Sequence, residues 1–177
     1  MASLSKRLLT GRMFIDVDMQ LINIFSSENK VIDTILYADI SKSGWGYIYE
    51  RHVGQVLSDD GYAVEYNGLT KGFHDGGVDL IAKKGNQDYL IQCKFKKKST
   101  IGKQKIEWIL YKASSLIAKY TESTKPTFCL VVPSIDQSFG QKYKKGKLTY
   151  PIADYFLSIN NRQSAVKFEI LEIDMIR

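Results

Sequence analysis

The chain has 177 residues, 44% of them hydrophobic and 25% charged, which suits one globular domain with a real core. Its net charge of +6 favours an anionic partner, and nucleic acid is the commonest such partner. No apolar run reaches the roughly 18 residues of a membrane span, and the basic N-terminus lacks the uninterrupted apolar core of a signal peptide. No membrane partner is expected, and an intracellular setting follows: cytoplasm or nucleoid, or host cytoplasm for a viral protein.

Residues 13–40 carry apolar positions at helical spacing, including Met19, Leu21, Ile22, Ile24, Phe25, Val31, Ile32, Ile35 and Leu36. They predict one or two short helices, an N-terminal helical extension over residues 1–43 ahead of a globular unit over 44–177. A stronger helix follows, with Ser43 as N-cap, Tyr47, Ile48, Val53, Val56 and Leu57 as its apolar stripe, and Gly61 closing it. Residues 63–66 form a short first strand, and Asn67 to Gly77, with four glycines, a loop. Gly85-Asn86 is turn chemistry between two apolar segments, so residues 75–94 read as strand, turn, strand.

A long amphipathic helix then runs through Ile106, Ile109, Leu110, Ala113, Leu116, Ile117 and Tyr120, with Lys103, Lys105, Lys112 and Lys119 largely on its other side. The continuous apolar run Thr127 to Val132 predicts a central strand buried on both faces. Lys142, Lys144, Lys145 and Lys147 sit in a polar loop, Pro151 starts a short helix, and Val166 to Ile173 is a last strand. Cys93 and Cys129, both in strand-like segments, read as buried free thiols. The fold class is α/β, a mixed sheet flanked by helices.

Alternation along the second strand of the hairpin puts Gln92 and Lys94 on one face, and Asp79 on the adjoining strand could face the same spot. Aspartate is disfavoured in strands, which argues for a purpose at position 79. Glu50, from the helix before, could add a second carboxylate. Two carboxylates and an amide carbonyl are hard oxygen donors for Mg²⁺, with Mn²⁺ as a substitute, and such a metal beside a phosphodiester activates water and offsets charge. Lys94 would orient or deprotonate that water.

Each of these residues also has a plainer reading. Asp79 could cap a strand, Gln92 be a satisfied core amide, Lys94 a solvated lysine and Glu50 a solubilising helix residue, with Glu65 as its competitor. His74 and Asp75 lie in the glycine-rich loop, where His74 is placed near the phosphate path and Asp75 as a turn former. Lys96, Lys97, Lys98 and Lys103 are candidate phosphate contacts, and Lys142 to Lys147 a second basic cluster. Trp45 reads as core, with stacking on an unpaired base as its functional alternative.

Taken together, Glu50 in Tyr49-Glu50-Arg51-His52-Val53-Gly54-Gln55, then Gly61-Tyr62-Ala63-Val64, then Asp75-Gly76-Gly77-Val78-Asp79-Leu80-Ile81-Ala82, then Ile91-Gln92-Cys93-Lys94, resemble the PD-(D/E)XK nuclease superfamily and its Mrr-like restriction-endonuclease branch. The resemblance covers about residues 44–98. It implies a restriction-endonuclease-like fold and metal-dependent cleavage of DNA, with Glu50, Asp79, Gln92 and Lys94 in the catalytic positions and Asp79, Gln92 and Glu50 at the metal. Gln92 stands where most of the superfamily has Glu or Asp, as is common in the Mrr-like branch. Small members of the superfamily include Holliday-junction resolvases, which act as homodimers. A structure-selective resolvase of that kind is one alternative, and a non-catalytic or partner-dependent DNA-binding module is the other.

Overall fold

In a computed structural model, which describes residues 3–95, 100–144, 146–161 and 165–176, the chain opens with one helical turn, α1 (Leu4–Leu8). Three strands follow, β1 (Arg12–Asp16), β2 (Leu21–Phe25) and β3 (Val31–Leu36), paired antiparallel in that order. This small sheet replaces the helices expected over residues 13–40. The apolar residues there alternate: Met13, Ile22, Ile24 and Ile35 are buried, while Phe14 and Leu36 are exposed. Gln20 and Asn29 take positive φ values of 52° and 58°, which turn the chain between strands. Across the second turn the Ser26 N–H donates to the Lys30 carbonyl at 2.8 Å.

Helix α2 (Gly44–Asp59) is where its apolar stripe puts it, but its cap differs. Ser43 already has helical backbone angles, and the Gly44 N–H donates instead to the Ser41 hydroxyl at 3.0 Å. Gly61 closes the helix at φ +84°. Next come β4 (Ala63–Glu65) and α3 (Asn67–Lys71), then a tight helical turn at Gly72–His74, so the glycine-rich stretch is partly helical rather than a plain loop. The hairpin β5 (Leu80–Lys84) and β6 (Gln87–Cys93) and the long helix α4 (Lys103–Thr121) follow as expected.

The chain continues with β7 (Thr127–Val132) and a short α5 (Ile135–Ser138). In place of the polar loop at 142–147 stands a small hairpin, β8 (Lys142–Lys144) and β9 (Lys147–Thr149), which Gly146 turns at φ +76°. Helix α6 (Pro151–Leu157) and strand β10 (Lys167–Glu172) complete the chain.

The main sheet has five strands in the order β10-β7-β6-β5-β4. The β4–β5 and β5–β6 pairs are antiparallel, while the β6–β7 and β7–β10 pairs are parallel. All six residues of β7 are buried, because helices cover both faces. On one face Ile91, Cys93, Cys129 and Val131 meet Ile48, Val53 and Leu57 of α2. On the other, Leu90, Phe128 and Leu130 meet Ile106, Ile109 and Ala113 of α4 and Phe156 of α6. Both cysteines are free and buried.

The small sheet shares the α2-side core through Met13, Ile22, Ile24 and Ile35. Side chains from α2 also hold its first strand. Gln55 accepts from the Met13 N–H at 2.6 Å and donates to the Met13 carbonyl at 2.9 Å. Arg51 donates to the Gly11 carbonyl at 2.6 Å, and Arg12 grips both oxygens of Asp59 at 2.9 and 2.5 Å. Trp45 meets Tyr37 edge-on at 4.8 Å and packs against the same core, so its role is packing rather than stacking on a base.

Gln55→Ala removes both side-chain bonds to Met13 and leaves part-buried backbone groups unpaired. Urea denaturation should show a loss of about 1–3 kcal/mol. A midpoint equal to wild type would mean that the small sheet does not depend on this bridge.

Candidate active site

Asp79 sits immediately before β5, 5% exposed, and its buried carboxylate must be paired. The Cys93 N–H donates to Asp79 Oδ2 at 2.7 Å, and Gln92 Nε2 donates to the same oxygen. The backbone is fixed as well. The Asp79 N–H donates to the Ile91 carbonyl at 2.8 Å, and its carbonyl accepts from the Gly68 N–H at 2.7 Å. The carboxylate therefore closes the end of the β5–β6 hairpin, while the Asp79 backbone carbonyl ties it to α3.

Glu50 reaches this point from α2 on the opposite side of Gly68. A Cβ placed on Gly68 would lie 2.8 Å from Glu50 Oε2 and 3.2 Å from the Asp79 Cα, so a side chain there would push the Glu50 carboxyl aside and crowd the backbone before β5. Glu50 Oε2 is buried and has no hydrogen-bond partner. An orphaned carboxylate oxygen is costly, and cation binding is one reason for a fold to keep one.

Gln92 lies at the end of β6, 5% exposed, with its amide N–H₂ on Asp79. Its carbonyl oxygen takes no part in that bond. Lys94, the residue after β6, donates from Nζ to the Cys93 carbonyl at 3.0 Å. Asp75, Asp79, Gln92 and Lys94 line one cavity of about 120 Å³, whose other wall is α4: Lys105, Trp108, Ile109 and Lys112. Gly77, at φ +74°, brings the loop against that wall, since a Cβ there would lie 2.6 Å from Lys112 Cβ.

Asp75 shapes the loop. Its Oδ1 accepts from the Gly77 N–H at 2.7 Å, and Asn67 Nδ2 donates to the Asp75 and Val78 carbonyls at 2.6 Å each. His74 is exposed on the turn before it and does not line the cavity. Lys103 is directed elsewhere, 3.7 Å from Glu107 and 5.0 Å over the Tyr155 ring. Glu65 is exposed on β4, 3.8 Å from Lys71. Lys96, Lys97 and Lys98 lie outside the described residues. Nothing in the sequence singles out Lys105, Trp108 and Lys112 as cavity residues, although the helical spacing from Trp108 to Lys112 puts those two on one face of α4.

The electrostatics are those of crowded carboxylates. Burial, then the Asp79 charge, pushes the Glu50 carboxyl up to about 9, while Lys94 pulls the other way. Burial likewise raises Asp79 to about 6, against the pull of Lys94 and of the Cys93 N–H. Burial and the same two carboxylates push the Cys93 thiol up, so it serves as packing. Among the described residues no three His, Cys, Asp or Glu side chains gather as a ready metal centre. The donors available are two carboxylates and an amide carbonyl. All are hard oxygen ligands, and they fit a divalent cation such as Mg²⁺ that takes further ligands from substrate phosphate and water.

A carboxyl with a raised pKa binds protons on folding. Its stabilising contribution is complete below the unfolded pKa and is lost as pH rises through the folded one. For Glu50 that loss runs from about 4.5 to about 9, with a slope of at most about 1.4 kcal/mol per pH unit. In EDTA, Glu50→Gln should therefore gain stability over wild type as pH rises from about 5 to about 9. Parallel urea midpoints at all pH values would rule out a buried, protonated Glu50. Gly77→Ala combines a strained φ with a clash and should destabilise by upwards of about 2 kcal/mol in the same assay.

Residues 45–119 match the family model described as restriction endonuclease, of the Mrr catalytic type. No curated protein matches, and neither does any solved structure. The matched segment runs from α2 through α4 and contains Glu50, Asp79, Gln92, Lys94 and the α4 wall of the cavity. The five-stranded mixed sheet between α2 and α4 has the architecture such a domain requires. Residues 45–119, rather less than half of the chain, thus match a restriction-endonuclease domain of the Mrr type, and the fold is consistent with a PD-(D/E)XK nuclease of that branch.

Proposed function

We propose that the protein is a metal-dependent DNA endonuclease whose catalytic group is Glu50, Asp79, Gln92 and Lys94. The single observation that carries this reading is the cavity that Asp79, Gln92 and Lys94 line together; Glu50 is not among its lining residues and adds a buried carboxylate oxygen without a hydrogen-bond partner. Domains of this family are nucleases, generally with a divalent metal, and act on DNA. Asp79, Glu50 and the Gln92 carbonyl would hold Mg²⁺ or Mn²⁺, which when bound supplies charge neutralisation at the phosphate and a more acidic water.

The chain's own residues do the rest. Gln92 and the Cys93 N–H orient the Asp79 carboxylate, so that little rearrangement is needed when substrate arrives. Lys94, on the cavity wall, offsets charge developing on the scissile phosphate and positions the attacking water. Lys105 and Lys112 add positive charge on the opposite wall, where the substrate backbone would run. His74 and the lysines at 96–98 and 103 remain proposed contacts further along the backbone. A homodimer with two such sites is part of the proposal, because one site cuts one strand.

Asp79→Ala and Lys94→Ala should each lower cleavage by at least about 100-fold with Mg²⁺ or Mn²⁺. DNA binding should persist. The assay is cutting of supercoiled, linear, single-stranded and four-way-junction DNA, with circular dichroism to check folding. Wild-type rates in either variant would remove the residue from the site. Preference for the junction would favour the resolvase form, and binding without cutting on every substrate the partner-dependent form.

A further inference from the structure

Helix α4 carries two large aromatic side chains on its solvent side, Trp108 at 50% and Tyr111 at 71% exposure. The rings stack on each other, with centroids 5.6 Å apart and planes 25° apart. Lys112 Nζ lies 5.6 Å from the Trp108 centroid. Trp108 and Lys112, with Lys105, form the α4 wall of the cavity that holds Asp79, Gln92 and Lys94. Neither aromatic belongs to the two packed cores, so the cost of leaving them in water is not repaid by burial within the chain.

Scattered exposed apolar residues need no explanation, but a stacked pair flanked by lysines at the mouth of a phosphate-cutting site has a specific chemistry. Nucleobases have flat faces that extend such a stack, and their phosphates pair with ammonium groups. A paired base in a duplex has its faces covered by its neighbours and cannot use the rings. An unpaired one can. A protein partner would also be drawn to aromatics, but the lysines at 105 and 112 and the continuity with the cavity favour nucleic acid.

Resting on the nuclease reading, we propose that Trp108 and Tyr111 form a stacking platform for an unpaired base of the DNA strand whose phosphate enters the cavity, so that the enzyme engages DNA that is frayed, branched or single-stranded next to the cut. Lys112 and Lys105 hold the phosphates on either side of that base.

The test is fluorescence-anisotropy binding of a labelled 12-nucleotide single strand and of the matching blunt duplex, in EDTA and low salt, by wild type, Trp108→Ala, Tyr111→Ala, and the conservative Trp108→Phe with Tyr111→Phe. Each alanine variant should weaken single-strand binding roughly tenfold and duplex binding much less, and the phenylalanine variant should recover most of it. In the wild type, base stacking should also quench tryptophan emission, and Trp108→Ala should lose that quenching. Equal losses on both DNAs, or none, overturn the platform. So does a drop in dimer content on sedimentation of the alanine variants, which would assign the rings to a protein interface. Binding is read without turnover, so a wild-type protein that fails to cut any DNA counts against the nuclease reading and leaves this result intact.

Discussion

A buried carboxylate, Asp79, holds the end of the β5–β6 hairpin and the cavity beside it in place. Such a group cannot remain in a core without partners, and the partners it has found define the local geometry. One oxygen takes bonds from the Gln92 amide and the Cys93 N–H, while the backbone on either side is pinned by Ile91 and Gly68. If Asp79 were displaced, the end of the β5–β6 hairpin, the α3 turn and the approach of α2 would all lose their anchor. Burial raises the pKa of both Glu50 and Asp79, and a neighbouring charge adds to it, Asp79 for Glu50 and Asp75 for Asp79.

The architecture around it follows from the sheet being covered twice. Helix α2 carries Glu50 on one face of the sheet, and α4 brings Lys105, Trp108 and Lys112 to the cavity at the ends of β5 and β6 on the other. The cavity is therefore a property of strand termini and helix spacing, with Gly77 bringing the loop against α4. A larger side chain at Gly77 would push the loop away from α4 and widen the cavity.

Much of this was legible in the sequence. The order Glu50, Asp79, Gln92, Lys94 follows from motif and alternation, and the continuous apolar run of β7 announced its double burial. The N-terminal segment was not legible as helix spacing, because short apolar runs such as Leu21-Ile22-Asn23-Ile24-Phe25 satisfy both periods. Turn chemistry was the better guide there: Ser26 to Lys30, with Asn29 in the left-handed region, marks a hairpin. The lysines of α4 were read as lying largely on the side away from its apolar stripe. Nothing in one helix tells which end of its polar face lies beside the strand ends, so Lys105 and Lys112 were missed while Lys103 was chosen. The Ser41 cap depended on backbone angles at Ser43, which composition does not fix.

The small N-terminal sheet has two outer strands, and an outer strand normally offers bare backbone groups on which another chain can grow. Here helices have put side chains there first. Gln55 occupies the N–H and carbonyl of Met13 on β1, and Arg7, paired with Asp33, donates to the Thr34 carbonyl on β3 at 3.0 Å. A glutamine and an arginine thus play the part of missing strands. At these positions an added strand would have to displace a side chain already bonded to the edge, which hinders ribbon-like extension of the sheet.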